Sequence, residues 1–237
     1  LRAVQNESGV RPMGDGKTKS LFKKANGEEV EQRIRSKPLG EFFVSWDDIG
    51  SDDVRLLEDT LEAARNELEL QEFLEDHPIL LIQHLGGGHG RWVLSKTRLG
   101  TEHVTDFLLA ERSSMGYEWQ AVELESPTSP LFTKRGDPRH ELTHAIRQIR
   151  DWRNWLEQNL AYARRRKERE GLGLIDISPS LKGLVVIGRR ASIDPNTDLL
   201  RRRISKETNI EIHTYDWLLD QVKGRCEAIG NWKGKGP

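Results

Sequence analysis

A single cysteine, Cys226, stands in 237 residues, so no intramolecular disulfide can staple the fold. No run of about eighteen apolar residues is present, which excludes a transmembrane helix, and no secretory leader opens the chain. Both absences fit a cytoplasmic protein away from any membrane. Net charge is nearly absent as well: 37 Lys and Arg oppose 38 Asp and Glu, leaving −1, so attraction for a polyanion has to come from local asymmetry. Leu1 rather than Met comes first, which reads as a fragment whose beginning is missing. The length suffices for one sizeable core and a small appendage.

What the chain does have is a concentrated group of acids. Thr105-Asp106-Phe107-Leu108-Leu109 and Val122-Glu123-Leu124-Glu125-Ser126-Pro127 both read as apolar strands. Side chains alternate along a strand, so Glu123 and Glu125 share one face while Val122 and Leu124 take the other. The link Arg112-Ser113-Ser114-Met115-Gly116-Tyr117 carries turn residues and predicts a hairpin that sets Asp106 beside Glu123. Close carboxylates repel unless a cation neutralises them, and an oxygen-only set suits Mg²⁺ or Mn²⁺ better than zinc. By spacing alone, the same acids equally describe the wet face of an antiparallel sheet.

The surrounding motifs decide between the two. Asp106-Phe107-Leu108-Leu109, Val122 to Thr128, Leu131-Phe132-Thr133-Lys134, Glu141-Leu142-Thr143-His144-Ala145, Gln148-Ile149-Arg150-Asp151-Trp152 and Val186-Ile187-Gly188-Arg189-Arg190 follow one another in that order. Together they resemble the nuclease domain of the Shedu anti-phage defence proteins, a branch of the PD-(D/E)xK nuclease superfamily, over about Leu56 to Trp217. The resemblance implies an α/β, restriction-endonuclease-like core, with a central mixed β-sheet flanked by helices, and a metal-dependent DNA endonuclease. It implies Asp106 and Glu123 as ligands of Mg²⁺ (or Mn²⁺), joined by the backbone carbonyl at position 125, with Glu125 and Gln148 positioning the attacking water. DNA as partner and a homo-oligomer, a tetramer, follow from the same likeness.

One position departs from the pattern. Glu125 occupies the place where the superfamily usually has Lys, and a carboxylate there adds negative charge facing an anionic substrate. Three outcomes stand open: Glu125 is a further ligand or base, a displaced cation such as Lys134 supplies the missing charge, or the chain is a silent DNA-binding or sensor module of a defence complex. The electrostatics predict that Glu125 limits cutting and that Glu125→Lys restores it.

The chain divides near residue 55 into an N-terminal segment, 1–55, and the nuclease-like domain, 56–237. Residues 1–30 are polar and aperiodic and read as a tail or the remnant of another domain. Leu39 to Ile49 reads as a strand that packs on the main domain or belongs to an N-terminal module. From Ser51, apolar residues at helical spacing through Phe73 predict one long opening helix ending before Pro78, with Glu67 or Glu72 as an acid leaning toward the metal. A strand over Arg91–Leu94 follows the glycine loop 86–90. A helix over 141–167 carries Gln148 and Trp152 four apart, similar to the Gln-X-X-X-Tyr element of RecB-like nucleases; His144 on the same helix reads as structural. The run Gly183–Gly188 predicts a strand buried on both faces, then a helix over 198–207, a strand over 210–214, a last helix over 215–222 and a frayed end.

Basic residues cluster in three runs, Arg164-Arg165-Arg166-Lys167, Arg189-Arg190 and Arg201-Arg202-Arg203. Each alone is ordinary solvated surface; together they outline a positive strip for a phosphate backbone. Lys134 and Arg135, in the loop after the acids, and Arg164, Arg165 and Arg166 are the candidate DNA contacts.

Overall fold

A computed structural model describes residues 38–86 and 89–233, together with Gln32. The polar start, Gly87 and Gly88 of the glycine loop, and the end of the chain, 234–237, lie outside the described residues. Among the described residues, five helices flank a six-stranded sheet. The strands are β1 (Phe43–Val44), β2 (Arg91–Ser95), β5 (Phe107–Ser113), β6 (Gly116–Leu124), β7 (Lys182–Val186) and β8 (Ile210–His213), and they lie side by side in that order. A separate small hairpin pairs β3 (Arg98–Leu99) with β4 (His103–Val104). Strands β1, β2, β5 and β6 run antiparallel, while β6, β7 and β8 run parallel. This is a restriction-endonuclease-like arrangement.

Parallel neighbours need crossovers, and these are helical. Helix α3 (His140–Arg164) joins β6 to β7 and α4 (Pro195–Thr208) joins β7 to β8. On one face α3 lays Leu142, Ala145, Ile149, Trp152 and Leu156 against Leu108, Ala110, Ala121 and Val185. On the other, α1 (Ser51–Ala63), α2 (Glu67–Asp76) and α5 (Tyr215–Lys233) cover Phe107, Leu109, Val122, Leu124, Leu184 and Val186. Consecutive residues of β7 thus enter opposite cores, which is why its sequence is apolar without alternation. Gly183 permits the fit: a Cβ there would stand 3.0 Å from Ile149 Cγ2 and 2.8 Å from Ile210 Cγ1.

Two expectations change and one open alternative is decided. The single opening helix is two, because Ala64 is extended and Asn66 caps a new start, its side chain accepting from the Glu69 amide at 3.1 Å. Apolar periodicity carries through the break, so the pattern could not register it. Phe43–Val44 pairs with β2 as an edge strand, which places the Leu39–Ile49 segment on the main sheet. The last helix continues past Gly224 to Lys233; Ile229, seven residues after Val222, is buried beside it in the same core, and that burial outweighs the roughly 1 kcal/mol a helical glycine costs. Among the described residues no helix is long and apolar enough to cross a membrane.

Candidate active site

The hairpin forms in the register that the acids need. Phe107 faces Val122 and Ser113 faces Gly116, so one step beyond the ladder Asp106 lies opposite Glu123. Asp106 Oδ2 accepts the Leu124 amide at 2.9 Å and its Oδ1 accepts the side-chain amide of Gln71 at 2.9 Å. Glu123 is 3% exposed. One of its oxygens, Oε1, accepts from the Gln148 side chain on α3, while Oε2 is buried with no hydrogen-bond partner among the described residues.

Glu125 follows the end of β6. Its amide donates to the Val186 carbonyl at 2.9 Å, extending the parallel ladder by one step. Its Oε1 lies 3.3 Å from His144 Nδ1, and its carbonyl accepts the hydroxyl of the fully buried Tyr215 at 2.8 Å. Gly188 holds the next stretch in place. Its φ of +67° suits glycine, and a Cβ there would come within 2.4 Å of the Ser129 carbonyl, where Ser126–Ser129 folds back over the strand ends.

Electrostatically the site is a surplus of acid. Burial, then Asp106, then Glu125 push the Glu123 carboxyl up to about 10. Burial, then Glu67 and Glu141, push Glu125 up to about 8. Asp106 and Glu67 are raised too, chiefly by burial; the Leu124 amide pulls Asp106 part of the way back. Lys96 is the cation whose charge opposes these shifts at Asp106, Glu67 and Glu123. It sits in the turn after β2, donates its amide to the Asp106 carbonyl at 3.0 Å and places Nζ 3.8 Å from Glu75. Lys134, the candidate displaced cation, is exposed at the tip of a loop closed by the Thr133 amide on the Asp137 carbonyl.

The structure brings Asp106, Glu123, Glu125 and Gln148 together and places Glu67 with them; Glu72 faces solvent. It adds Gln71, Lys96, His144 and Tyr215, which the sequence pattern did not assign to the site. A signal for Gln71 existed: Glu67, Gln71 and Glu75 recur every four residues and form one polar stripe on α2, and Gln71 is buried within it. Lys96 had none, since a turn's side-chain direction is set by tertiary context. His144 was visible but read as structural. Glu123, Glu125 and His144 offer ligand atoms within 4.8 Å of one another.

The basic residues separate from this group. Helix α3 begins at the acids and ends at Arg164, sixteen residues after Gln148 and beyond a kink where Asn159 leaves helical geometry. Arg164, Arg165 and Arg166 are exposed there, Arg164 donating Nε to the Ile177 carbonyl at 2.7 Å. The other two runs are tied down. Arg189 grips Asp216 with two hydrogen bonds of 3.1 and 3.0 Å, Arg190 pairs with Asp220, Arg201 and Arg202 pair with Asp198, and Arg203 pairs with Glu207.

A known protein-family model, described as "Shedu protein SduA, C-terminal", matches residues 64–219, more than half of the chain. The chain belongs to the Shedu family. Membership implies a part in anti-phage defence, and the matched span contains every site residue named above, from Glu67 on α2 to Tyr215 at the start of α5. No curated protein matches the Shedu chain.

Proposed function

We propose that this Shedu chain is a metal-dependent DNA endonuclease of the cytoplasm, hydrolysing phosphodiesters of invading DNA at Asp106, Glu123 and Glu125. The supporting observation is Glu123 Oε2, buried without a partner among the described residues and surrounded by carboxyls that burial and one another's charge raise. Such an oxygen costs free energy unless a cation meets it, and the oxygen-rich donor set fits Mg²⁺ or Mn²⁺.

Asp106 and Glu123 would hold the ion. A strand residue's N–H and C=O point the same way; the Leu124 amide faces Asp106, so the Leu124 carbonyl would be the backbone oxygen that joins them. The carbonyl at position 125, expected in that role, accepts the Tyr215 hydroxyl. Bound, the ion supplies Lewis-acid polarisation of the phosphate and a more acidic water. Gln71 and the Leu124 amide fix the Asp106 carboxylate, and Gln148 fixes Glu123, so neither has to reorganise during reaction. Glu125, braced by His144, orients the attacking water, and the Lys96 ammonium offsets charge building on the phosphate. Attack forms the water oxygen–phosphorus bond as the phosphorus–oxygen bond to the leaving sugar breaks.

DNA would run along α3. Arg164 to Arg166 at its far end would meet phosphates several nucleotides from the scissile one, with Lys134 and Arg135 touching phosphates from the loop after β6. The chain assembles with its own copies as a tetramer in this reading, which light scattering of the purified protein checks.

The test is cleavage of plasmid DNA with Mg²⁺ or Mn²⁺ by the chain and by Asp106→Asn. Cutting that vanishes in the variant supports the proposal; cutting that persists there moves the site elsewhere. Glu125 at the lysine position favours a second reading, a silent DNA-binding or sensor module. That reading holds if the chain binds DNA without cutting while Glu125→Lys cuts.

A further inference from the structure

Between Glu125 and α3 lies a donor set of which the Asp106–Glu123 pairing uses only Glu123. Asp106 has both carboxylate oxygens engaged by nitrogen donors. Glu123 has one buried oxygen without a partner among the described residues, and its side chain faces Glu125 and His144. His144 is delivered by the same helix face as Gln148, one turn earlier. Its Nδ1 stands 3.3 Å from Glu125 Oε1. Ligand atoms sharing one ion with bonds of about 2.1 Å stand about 3 Å apart when adjacent and about 4 Å apart when opposite; the Glu125–His144 spacing matches the first, and all three side chains offer ligand atoms within 4.8 Å of one another, within reach of small side-chain adjustments.

We propose that Glu123, Glu125 and His144 hold a second divalent cation next to the one assigned to Asp106 and Glu123, and that this ion supplies the positive charge which a lysine at position 125 supplies elsewhere in the superfamily. The inference rests on the metal-dependent reading above and adds to it a second ion with Glu123 as the bridge. It accounts for a substitution that otherwise worsens the electrostatics. A Glu in place of Lys changes the local charge by two units in the wrong direction, and a divalent ion on that Glu returns the same two units. It also accounts for His144, whose imidazole turns toward the acids. A nitrogen donor favours Mn²⁺ or Co²⁺ over Mg²⁺, so the two positions differ in selectivity: Mg²⁺ fills the all-oxygen one, and Mn²⁺ fills both.

Mn²⁺ binding to the full chain, read by calorimetric titration and by electron paramagnetic resonance, tests this without reference to cutting. Two Mn²⁺ per chain are expected, with a spin-coupled spectrum from neighbouring ions. His144→Ala, a half-exposed position whose truncation leaves both cores intact, is expected to bind one, with the uncoupled spectrum, as is Glu125→Lys. One Mn²⁺ in the unaltered chain, or two retained in His144→Ala, overturns the second ion and leaves the single-ion nuclease standing. No Mn²⁺ bound overturns both.

Discussion

The acids and the bases of this chain are nearly equal in number, yet the fold treats them in opposite ways. Around Asp106, Glu123 and Glu125 it gathers carboxyls, buries them and gives them amide donors and one distant lysine. Around Arg189, Arg190 and Arg201 to Arg203 it gathers carboxylate partners. Sequence proximity made both groups look like clusters of one sign. Of the two, the acid cluster remains uncompensated in three dimensions, and uncompensated charge near a cleft is what a ligand of opposite sign can use. Three basic runs therefore reduce to one without carboxylate partners among the described residues, Arg164 to Arg166, plus the loop pair Lys134 and Arg135.

The sharpest way to break this contrast is Glu123→Gln. Removing the bridging carboxylate while keeping its shape is expected to lower cutting by about 10³-fold, or ~4 kcal/mol of transition-state stabilisation, measured on supercoiled plasmid under saturating Mn²⁺. The same variant is expected to melt higher than the unaltered chain in chelator at alkaline pH, because the cost of ionising a buried acid is gone. A variant that loses both cutting and stability would make Glu123 a structural residue.

The pH dependence follows in sign from the raised carboxyls. Glu123 ionises in the folded chain near 10 and Glu125 near 8, against an ordinary carboxyl value of 4.5. Between those limits the folded state binds more protons than the unfolded one, so stability is full below about 4.5 and declines as pH rises toward 8 and 10. In chelator, Tm is expected to fall by roughly 5–10 °C from pH 6 to pH 9, and saturating Mn²⁺ is expected to flatten that slope. A metal-free Tm that rises over this range would contradict the burial of these acids.

For the bases, neutralising Arg164, Arg165 and Arg166 to Ala is expected to weaken DNA binding and to reduce the salt slope by about one for each phosphate that is no longer neutralised. Neutralising Arg201, Arg202 and Arg203 is expected to lower the slope less, since Asp198 and Glu207 offset two of those three charges. Equal slopes for the two triple variants would erase the distinction between open and paired runs. The smallest effect is expected from Tyr215→Phe, which removes the hydroxyl that Glu125's carbonyl accepts; thermal melting should show a destabilisation of about 1 kcal/mol, and an unchanged Tm would remove that brace from the site.

Much of the fold could be read in advance because it is encoded at short range. The alternation in Val122 to Glu125, the turn at Ser113 to Gly116 and the apolar run at Gly183 to Gly188 each prescribe a local conformation, and the hairpin register followed from them. What failed were boundaries where burial and local preference compete. Asn66 starts a new helix inside an uninterrupted apolar period, and Gly224 sits within a helix that Ile229 anchors.

The sequence by itself determined which acids share a face and that Asp106 meets Glu123, because strand alternation and a tight turn leave one arrangement. It also carried the ordered motifs of the Shedu family. Only the tertiary structure decided that Gln71, Lys96, His144 and Tyr215 join those acids, and that two of three basic runs are paired with carboxylates. The reason is distance along the chain: Tyr215 reaches Glu125 across ninety residues and Gln71 reaches Asp106 across thirty-five, and no local pattern records a contact made by packing separate helices on one sheet.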